Sequence, residues 1–167
     1  MAARAGGFYT AGEFCLDGLP DPIVKSAVEV GRACVAEKFR NRQVLFLLWK
    51  GLATYMTHNR KRYLFGCCSL TSQDPAEGIR ALRQLDAGGH MHRELRVAPR
   101  PEHECHLPPG VGAGDKKVRI PILFRTYLRY GAKVCGPPAI DREFKTIDFL
   151  VVLDVEALEP DLHRLYF

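Results

Sequence analysis

The sequence predicts an α/β protein with a layered sheet and at least one parallel crossover. Runs rich in β-branched residues alternate with segments of helical period, in the order strand, helix, strand, helix, helix, strand, strand. The 167 residues are 47% hydrophobic and 26% charged, which suits one globular domain. We therefore expect a single domain over residues 1–167, without internal repeats.

The first half of the chain predicts two strands around one helix. Residues 23–35 are rich in β-branched side chains and predict a core strand, in which Gly31 marks a bulge. Residues 42–57 have helical period with a narrow polar stripe, so we expect a nearly enclosed helix capped by Asn41. Residues 62–70 predict the next core strand.

The second half begins with a recognisable helix start. Asp74 fits an N-cap, Pro75 the first helical position and Glu77 a capping box. The helix should end near Asp86, because two glycines follow it. A long loop rich in Pro, Gly and His is expected at residues 89–118, followed by a helix near residues 120–130. The short strand AKVCG, a Pro-Pro turn and a last strand at residues 146–155 then complete the order.

Charge and hydropathy limit the partners. The formal net charge of +5 favours an acidic partner such as nucleic acid, an anionic membrane surface or an acidic protein. The basic residues are scattered and the aromatic residues occupy core positions, so we expect no nucleic-acid partner. No run approaches the roughly 18 apolar residues of a membrane span, and the N-terminal stretch lacks a signal-peptide core. We therefore expect a cytoplasmic protein.

Cysteine and histidine residues are candidate metal ligands. Five of them share the long loop, but their spacing matches no tight ligand motif: His90, His92, His103, Cys105 and His106. Four other cysteines lie in apolar runs typical of small buried side chains: Cys34, Cys67, Cys68 and Cys135. We expect no metal.

Charged residues at the junction of the first strand and the following helix indicate chemistry. Glu29 is unusual inside a core strand, because an isolated buried charge is costly. It fits either a structural ion pair with Arg32 or a general base. Lys38, Arg40 and Arg42 precede a helix N-terminus, whose free N–H groups suit phosphate. A solvated basic turn is the alternative for these three cations.

Several ordered motifs resemble one family of bacterial acyltransferases. The resemblance rests on the segments VEVGRACVAEKFRNRQVLFLLWKGLA, RYLFGCCSL and YLRYGAKVCGPPAIDREFKTIDFLVVLD, and on the helix that starts at Asp74 and Pro75. These resemble the ornithine–acyl carrier protein N-acyltransferases of lyso-ornithine lipid synthesis, often labelled haemolysin-like. That family belongs to the GCN5-related N-acetyltransferase (GNAT) superfamily. The resemblance implies a GNAT-like mixed sheet flanked by helices.

The resemblance also implies a reaction. A (3-hydroxy)fatty acyl group would pass from acyl carrier protein to the α-amine of ornithine, giving lyso-ornithine lipid. The phosphopantetheine arm of the donor would lie in a V-shaped opening between two central strands, with its phosphate end at Lys38, Arg40 and Arg42. No bound cofactor is implied, since the acyl-phosphopantetheine thioester is a co-substrate.

Site residues follow from the same resemblance. The Glu29-x-x-Arg32 pair is similar to the E-x-x-R signature of acyl-homoserine lactone synthases. Glu29 would deprotonate the amine, and Arg32 would orient Glu29 or the acyl carbonyl. Asp148 would hold the substrate ammonium, or would instead be a strand-face charge that faces water. Independently of the resemblance, Tyr127 shares a predicted helix with Arg125 and Arg129, which fits either an exposed basic face or a tyrosine that contacts substrate and acts as an acid beside the thioester.

Two departures from the family pattern qualify the resemblance. The loop EKFRNRQVLF lacks the glycines of the usual pyrophosphate loop, which favours acyl carrier protein over acyl-CoA as donor. The segment GGFYTAGEF begins at Gly6 but lies mid-domain in the family, so the chain is expected to lack the N-terminal portion of the fold. The alternatives are an N-acyl amino acid synthase with another acceptor, and a non-catalytic module that binds a carrier protein or the anionic inner face of the membrane.

Overall fold

The computed structural model describes residues 7–31 and 34–167. These ranges contain the following helices and strands: α1 (Asp21–Ser26), β1 (Ala27–Glu29), α2 (Arg42–His58), β2 (Tyr63–Leu70), α3 (Pro75–Ala87), α4 (Ile122–Arg129), β3 (Lys133–Val134), β4 (Ala139–Asp141), β5 (Thr146–Asp154) and α5 (Pro160–Tyr166).

The strands form one mixed sheet in the order β1-β2-β5-β3, with β4 also paired to β5. β1 runs parallel to β2, whereas β2, β3 and β4 run antiparallel to β5. The connection from β1 through α2 to β2 is the predicted parallel crossover. The predicted α/β fold class is therefore confirmed.

Alternate residues of β5 supply two core layers on opposite faces of the sheet. Ile147 and Phe149 pack with residues of α3 and α4, on what we call the helical face. Leu150 and Val152 pack around Phe14, on the face covered by the N-terminal segment. Both faces of β5 are therefore buried between Ile147 and Val152, and neither faces water.

The predicted strand over residues 23–35 is wrong in its extent. Residues 21–26 form α1, and β1 occupies only Ala27–Glu29. Pro22 lies in the first turn of α1, where its fixed φ angle favours a helix start. This local preference outweighs the β-branched composition of the segment.

α2 spans the predicted residues and one more, but it is far more exposed than expected. Ala53 and Met56 are its buried residues, whereas Leu47 and Leu48 are 58% and 51% exposed. The described part of the chain covers one side of this helix. No described helix combines the length and the apolar character needed to cross a membrane.

The remaining elements agree with the sequence pattern. The Asp74 carboxylate accepts a hydrogen bond from the Ala76 N–H at 2.9 Å, and α3 ends at Ala87 with Gly88 as its C-cap. The loop that follows contains a short 3₁₀ turn, Pro101–His103. The predicted last helix and last strand correspond to α4 and β5. The sequence analysis missed β4, a three-residue strand just after a pair of prolines.

Gly66 of β2 allows β1 to approach closely. A Cβ atom on Gly66 would lie 2.1 Å from the Val30 carbonyl oxygen. We expect Gly66→Ala to lower the free energy of unfolding by about 1–3 kcal/mol, because a backbone atom must move. Gly51→Ala is the control, since its Cβ would meet nothing within 4 Å and alanine favours a helix. Equal urea midpoints for the two variants would contradict this expectation.

Candidate functional site

A gap opens between β1 and β2 where β1 ends. The paired registers finish at Glu29 opposite Phe65, and the Val30 N–H donates to the Phe65 carbonyl oxygen at 2.8 Å. β2 continues alongside β5 as far as Leu70. Among residues 7–31 and 34–167, the pairing between these two parallel strands ends at Val30, and the resemblance implies a V-shaped opening at this place.

Two pockets lie on opposite faces of the sheet and meet at this gap. The first, with a volume of about 520 Å³, lies on the face of the sheet that the N-terminal segment covers, and we call it the acidic pocket. The second, about 330 Å³, lies on the helical face against α4, and we call it the α4 pocket. Four residues line both: Val30, Gly31, Cys67 and Ser69. A ligand in one pocket would therefore reach a ligand in the other through the gap.

Glu29 fixes the N-terminal segment to the sheet at the rim of the acidic pocket. Its Oε2 accepts a hydrogen bond from the Tyr9 N–H at 2.8 Å, and its Oε1 accepts from the Thr10 N–H at 2.7 Å and from the Thr10 hydroxyl. Glu29 also lines the acidic pocket. It thus has a structural role that the sequence did not indicate, in a position that faces the site. Its expected partner Arg32 lies outside the described residues.

Glu13 and Asp148 form a buried carboxyl pair in the acidic pocket. Their residues are only 6% and 4% exposed. Glu13 follows the 3₁₀ turn Tyr9–Gly12, and Asp148 lies on β5 opposite Ser69. Within the described residues, Glu13 Oε2 and Asp148 Oδ1 are buried, and no donor outside the carboxyl pair reaches them. The sequence indicated Asp148 but missed Glu13.

The carboxyl pair holds a proton at neutral pH. Burial, followed by the charge of Asp148 and a hydrogen bond with it, raises the pKa of Glu13 to about 8. Burial also raises the pKa of the neighbouring Cys67 thiol far above its usual value. One oxygen of each carboxyl group and the Cys67 sulfur lie within 4.8 Å of one another. Two carboxyl groups this close together can accept hydrogen bonds from an ammonium group.

Tyr127 lies on the other side of the gap from Asp148. Its ring centre is 5.5 Å from that of Trp49, and the side chain lines the α4 pocket beside Val30 and Gly31. Burial raises the pKa of Tyr127 to about 12, so its hydroxyl stays protonated and able to donate. The two expected substrate-binding residues, Tyr127 and Asp148, therefore belong to different pockets.

Three exposed cations lie at the start of α2: Lys38, Arg40 and Arg42. Asn41 caps this helix as predicted, with its Oδ1 accepting a hydrogen bond from the Val44 N–H at 2.9 Å. The Arg40 side chain donates to the Val35 carbonyl oxygen at 2.9 Å, which holds it against the loop. A basic helix N-terminus therefore follows the gap along the chain, with side chains open to solvent.

The histidine and cysteine candidates of the long loop do not converge on one point. His103 Nδ1 lies 2.8 Å from the Ile140 carbonyl oxygen, whereas His106 pairs with Glu104. Cys105 packs against the core of the helical face. In residues 7–31 and 34–167, the one group of three potential ligands is Glu13, Cys67 and Asp148.

The other cysteines agree with the sequence analysis except at one position. Cys68 and Cys135 are buried, and Cys67 is partly buried. Cys34 is exposed, so its predicted burial is wrong. The reason is that β1 ends at Glu29, and the chain at Cys34 has already left the sheet.

The mixed sheet, its parallel strand pair and the gap between them define a GNAT-like α/β domain. Residues 1–50 match the Acetyltransferase (GNAT) domain. This match confirms the GNAT-like fold class that the resemblance implied. No solved structure matches the chain.

The chain is also similar to a set of curated proteins that share one name. The chain is 34% identical over 160 residues to the L-ornithine N(alpha)-acyltransferase of Rhizobium meliloti (strain 1021), covering 93% of this chain and 54% of that protein. It is 32% identical to the protein of the same name from Agrobacterium fabrum, covering 94% of this chain and 55% of that protein. It is 30% identical to the protein of the same name from Rhodobacter capsulatus, covering 99% of this chain and 64% of that protein.

The chain is therefore a relative of the L-ornithine N(alpha)-acyltransferases, which confirms the predicted resemblance. It spans between 54% and 64% of the length of these three relatives.

Proposed function

We propose that this chain transfers an acyl group from a thioester donor to the α-amine of L-ornithine. The observation that carries the proposal is the pair of pockets that meet at the gap between β1 and β2. An amine and a thioester must approach one carbonyl carbon from different directions, and this arrangement provides two such approaches. The names of the curated relatives support ornithine as the acceptor.

The donor would occupy the gap and the α4 pocket. The Val30 N–H makes the last hydrogen bond to β2, so the backbone N–H groups that follow it, from Gly31 onward, would bind the thioester carbonyl oxygen as charge develops on it. As the amide bond forms and the C–S bond breaks, Tyr127 would protonate the leaving thiolate. Its protonated, partly buried hydroxyl in the α4 pocket supports this role.

The acceptor would occupy the acidic pocket. Glu29, directly or through water, would take a proton from the α-ammonium so that the amine can attack. Arg32 would orient Glu29 or the acyl carbonyl, as the family resemblance implies. Asp148 would hold a substrate ammonium. The placement of Glu29 and Asp148 in one pocket supports this division of roles.

Acyl carrier protein is the donor we propose, with a (3-hydroxy)fatty acyl chain that gives lyso-ornithine lipid as product. Lys38, Arg40 and Arg42 would bind the phosphate of the phosphopantetheine arm at the N-terminus of α2. The net charge of +5 suits an acidic carrier protein. A lipid product and the exposed apolar residues of α2 also support peripheral contact with an anionic membrane.

Thiol release from 3-hydroxyacyl carrier protein tests this function in the 167-residue chain. We expect release that depends on ornithine and that is weaker when glycine or another amino acid replaces it. Acyl-CoA of the same chain length should be a poorer donor. Equal release with every amine would favour a general N-acyl amino acid synthase. Salt-sensitive binding of the carrier protein without release would instead indicate a non-catalytic module.

A further inference from the structure

Glu13 and Asp148 are more than nine-tenths buried and both line the acidic pocket, and no described donor reaches Glu13 Oε2 or Asp148 Oδ1 apart from the proton that the two carboxyl groups share. Burying two neighbouring carboxylates is costly unless a proton or a cation compensates their charge. A core that needed only stability would be better served by apolar side chains at both positions. One proton leaves one negative charge on the pair, and because both residues line the acidic pocket, a cationic ligand can reach that charge from the pocket.

The pair lies beside the gap and not in it. Asp148 is on β5, so β2 separates it from β1, and neighbouring strands are about 4.8 Å apart. Asp148 is level with Ser69, four residues beyond the Phe65 that pairs with Glu29, which is roughly 13 Å along the strand. A nitrogen that attacks a carbonyl at the end of β1 therefore lies several ångströms from the pair.

We infer that Glu13 and Asp148 form the subsite for the side-chain ammonium of a diamino acid acceptor. The α-amine would react at the gap, and the side chain of the acceptor would extend along the acidic pocket to the carboxyl pair. This inference rests on the proposed function and adds to it the feature that selects ornithine over amino acids with one amine.

Because the carboxyl pair holds a proton, the inference can be tested by ligand binding alone, without measuring catalysis. In the free protein at pH 7, Glu13 holds a proton because its pKa is raised to about 8. An arriving ammonium supplies the compensating charge and favours the ionised carboxyl group. Ornithine binding should therefore release close to one proton. The number of protons released per bound ornithine should roughly equal the fraction of Glu13 that is protonated at that pH.

Isothermal titration calorimetry in two buffers with different ionisation enthalpies measures this release. Ornithine should release a proton on binding to the wild-type chain at pH 7. Norvaline, which has the same carbon chain and no side-chain amine, should release none. Glu13→Gln should abolish the release for ornithine, since it mimics the protonated side chain. Ornithine binding without proton release in the wild-type chain would overturn the inference.

Steady-state kinetics give a second test. Glu13→Gln and Asp148→Asn should each raise KM for ornithine by about 100-fold, because each removes a buried charge that pairs with the ammonium. The ratio of kcat/KM for ornithine to kcat/KM for norvaline should therefore fall in both variants. Glu143→Gln, which neutralises an exposed carboxylate, is the charge-matched control and should change neither. Equal losses with ornithine and norvaline would overturn the inference.

The two tests separate failure of the subsite from failure of the proposed function. Thiol release that is as efficient with norvaline as with ornithine would leave acyl transfer standing and remove the subsite. Ornithine binding with proton release, but with no thiol release from any donor, would leave the subsite standing and remove acyl transfer.

Discussion

Glu29→Gln should lower kcat of ornithine-dependent thiol release by about 10²- to 10⁴-fold, the range that a general base typically contributes. The glutamine cannot accept a proton from the α-ammonium, so the amine would remain protonated and unreactive. Measurement of kcat at saturating ornithine tests the role directly. A variant with full turnover would end the proposal that Glu29 is the base.

The structural role of Glu29 must be separated from the chemical one. Glutamine offers one oxygen to Thr10, but its amide nitrogen would face the Tyr9 N–H, so a charge-assisted hydrogen bond is lost. Such a bond is worth about 1.5–3 kcal/mol, so the variant should unfold at a lower urea concentration than the wild type. Lost activity alone would therefore be ambiguous.

Thr10→Val is the matched control for the anchoring contact. It removes the hydroxyl that donates to Glu29 Oε1 and leaves the carboxylate and its two backbone hydrogen bonds in place. If Glu29 is the base, this variant should keep turnover within about tenfold of the wild type, because one hydrogen bond is worth about 1 kcal/mol. Comparable losses in Thr10→Val and Glu29→Gln would show that Glu29 only anchors the N-terminal segment.

Elements with strong local signals could be predicted from the sequence. α3 combines an Asp74 cap, a following proline and terminal glycines, and the structure has the same boundaries within one or two residues. The β-branched residues before β1 misled the prediction of where this strand begins. They lie in a segment that forms a helix, because Pro22 favours a helix start there. Periodicity alone also predicted an enclosed α2, but enclosure depends on what surrounds a helix and not on its own sequence.

The acidic pocket could be predicted only in part. Glu29 and Asp148 are conspicuous because each is a carboxylate inside a strand-like run. Glu13 lies in a turn segment, where an acidic residue is ordinarily exposed, and its burial arises from long-range packing against β5. The usable signal was its place directly before Phe14, which is fully buried. The assignment of Tyr127 to substrate stays a prediction, and sequence spacing does not show which face of the sheet it contacts.

The stability of the chain should fall as the pH rises from about 5 to about 8, through the contribution of Glu13. In the unfolded chain Glu13 titrates near 4.5, whereas in the folded chain its pKa is about 8. Between these values the folded state binds more protons than the unfolded state, so stability decreases with pH. The contribution is fully present below pH 4.5, is lost by about pH 8, and amounts to a few kcal/mol at most.

Comparison of the wild type with Glu13→Gln isolates this contribution. His90 and His92 have pKa values lowered by burial, so they add an opposite slope below about pH 6.5 that both proteins share. The difference in free energy of unfolding between the two proteins should therefore change steadily from pH 5 to pH 8, in favour of Glu13→Gln at the higher pH. A difference independent of pH would show that Glu13 titrates alike in the folded and unfolded chains.

Ornithine should reduce the loss of stability above pH 7. A ligand that binds the folded state with Glu13 ionised stabilises that state by mass action, and more strongly as the pH rises. Saturating ornithine should thus flatten the wild-type profile between pH 7 and pH 9, while norvaline should leave its slope unchanged. The same carboxyl pair would then account for the pH dependence of the free chain and for the selection of a diamino acid, because in both cases the buried charge requires a compensating cation or proton.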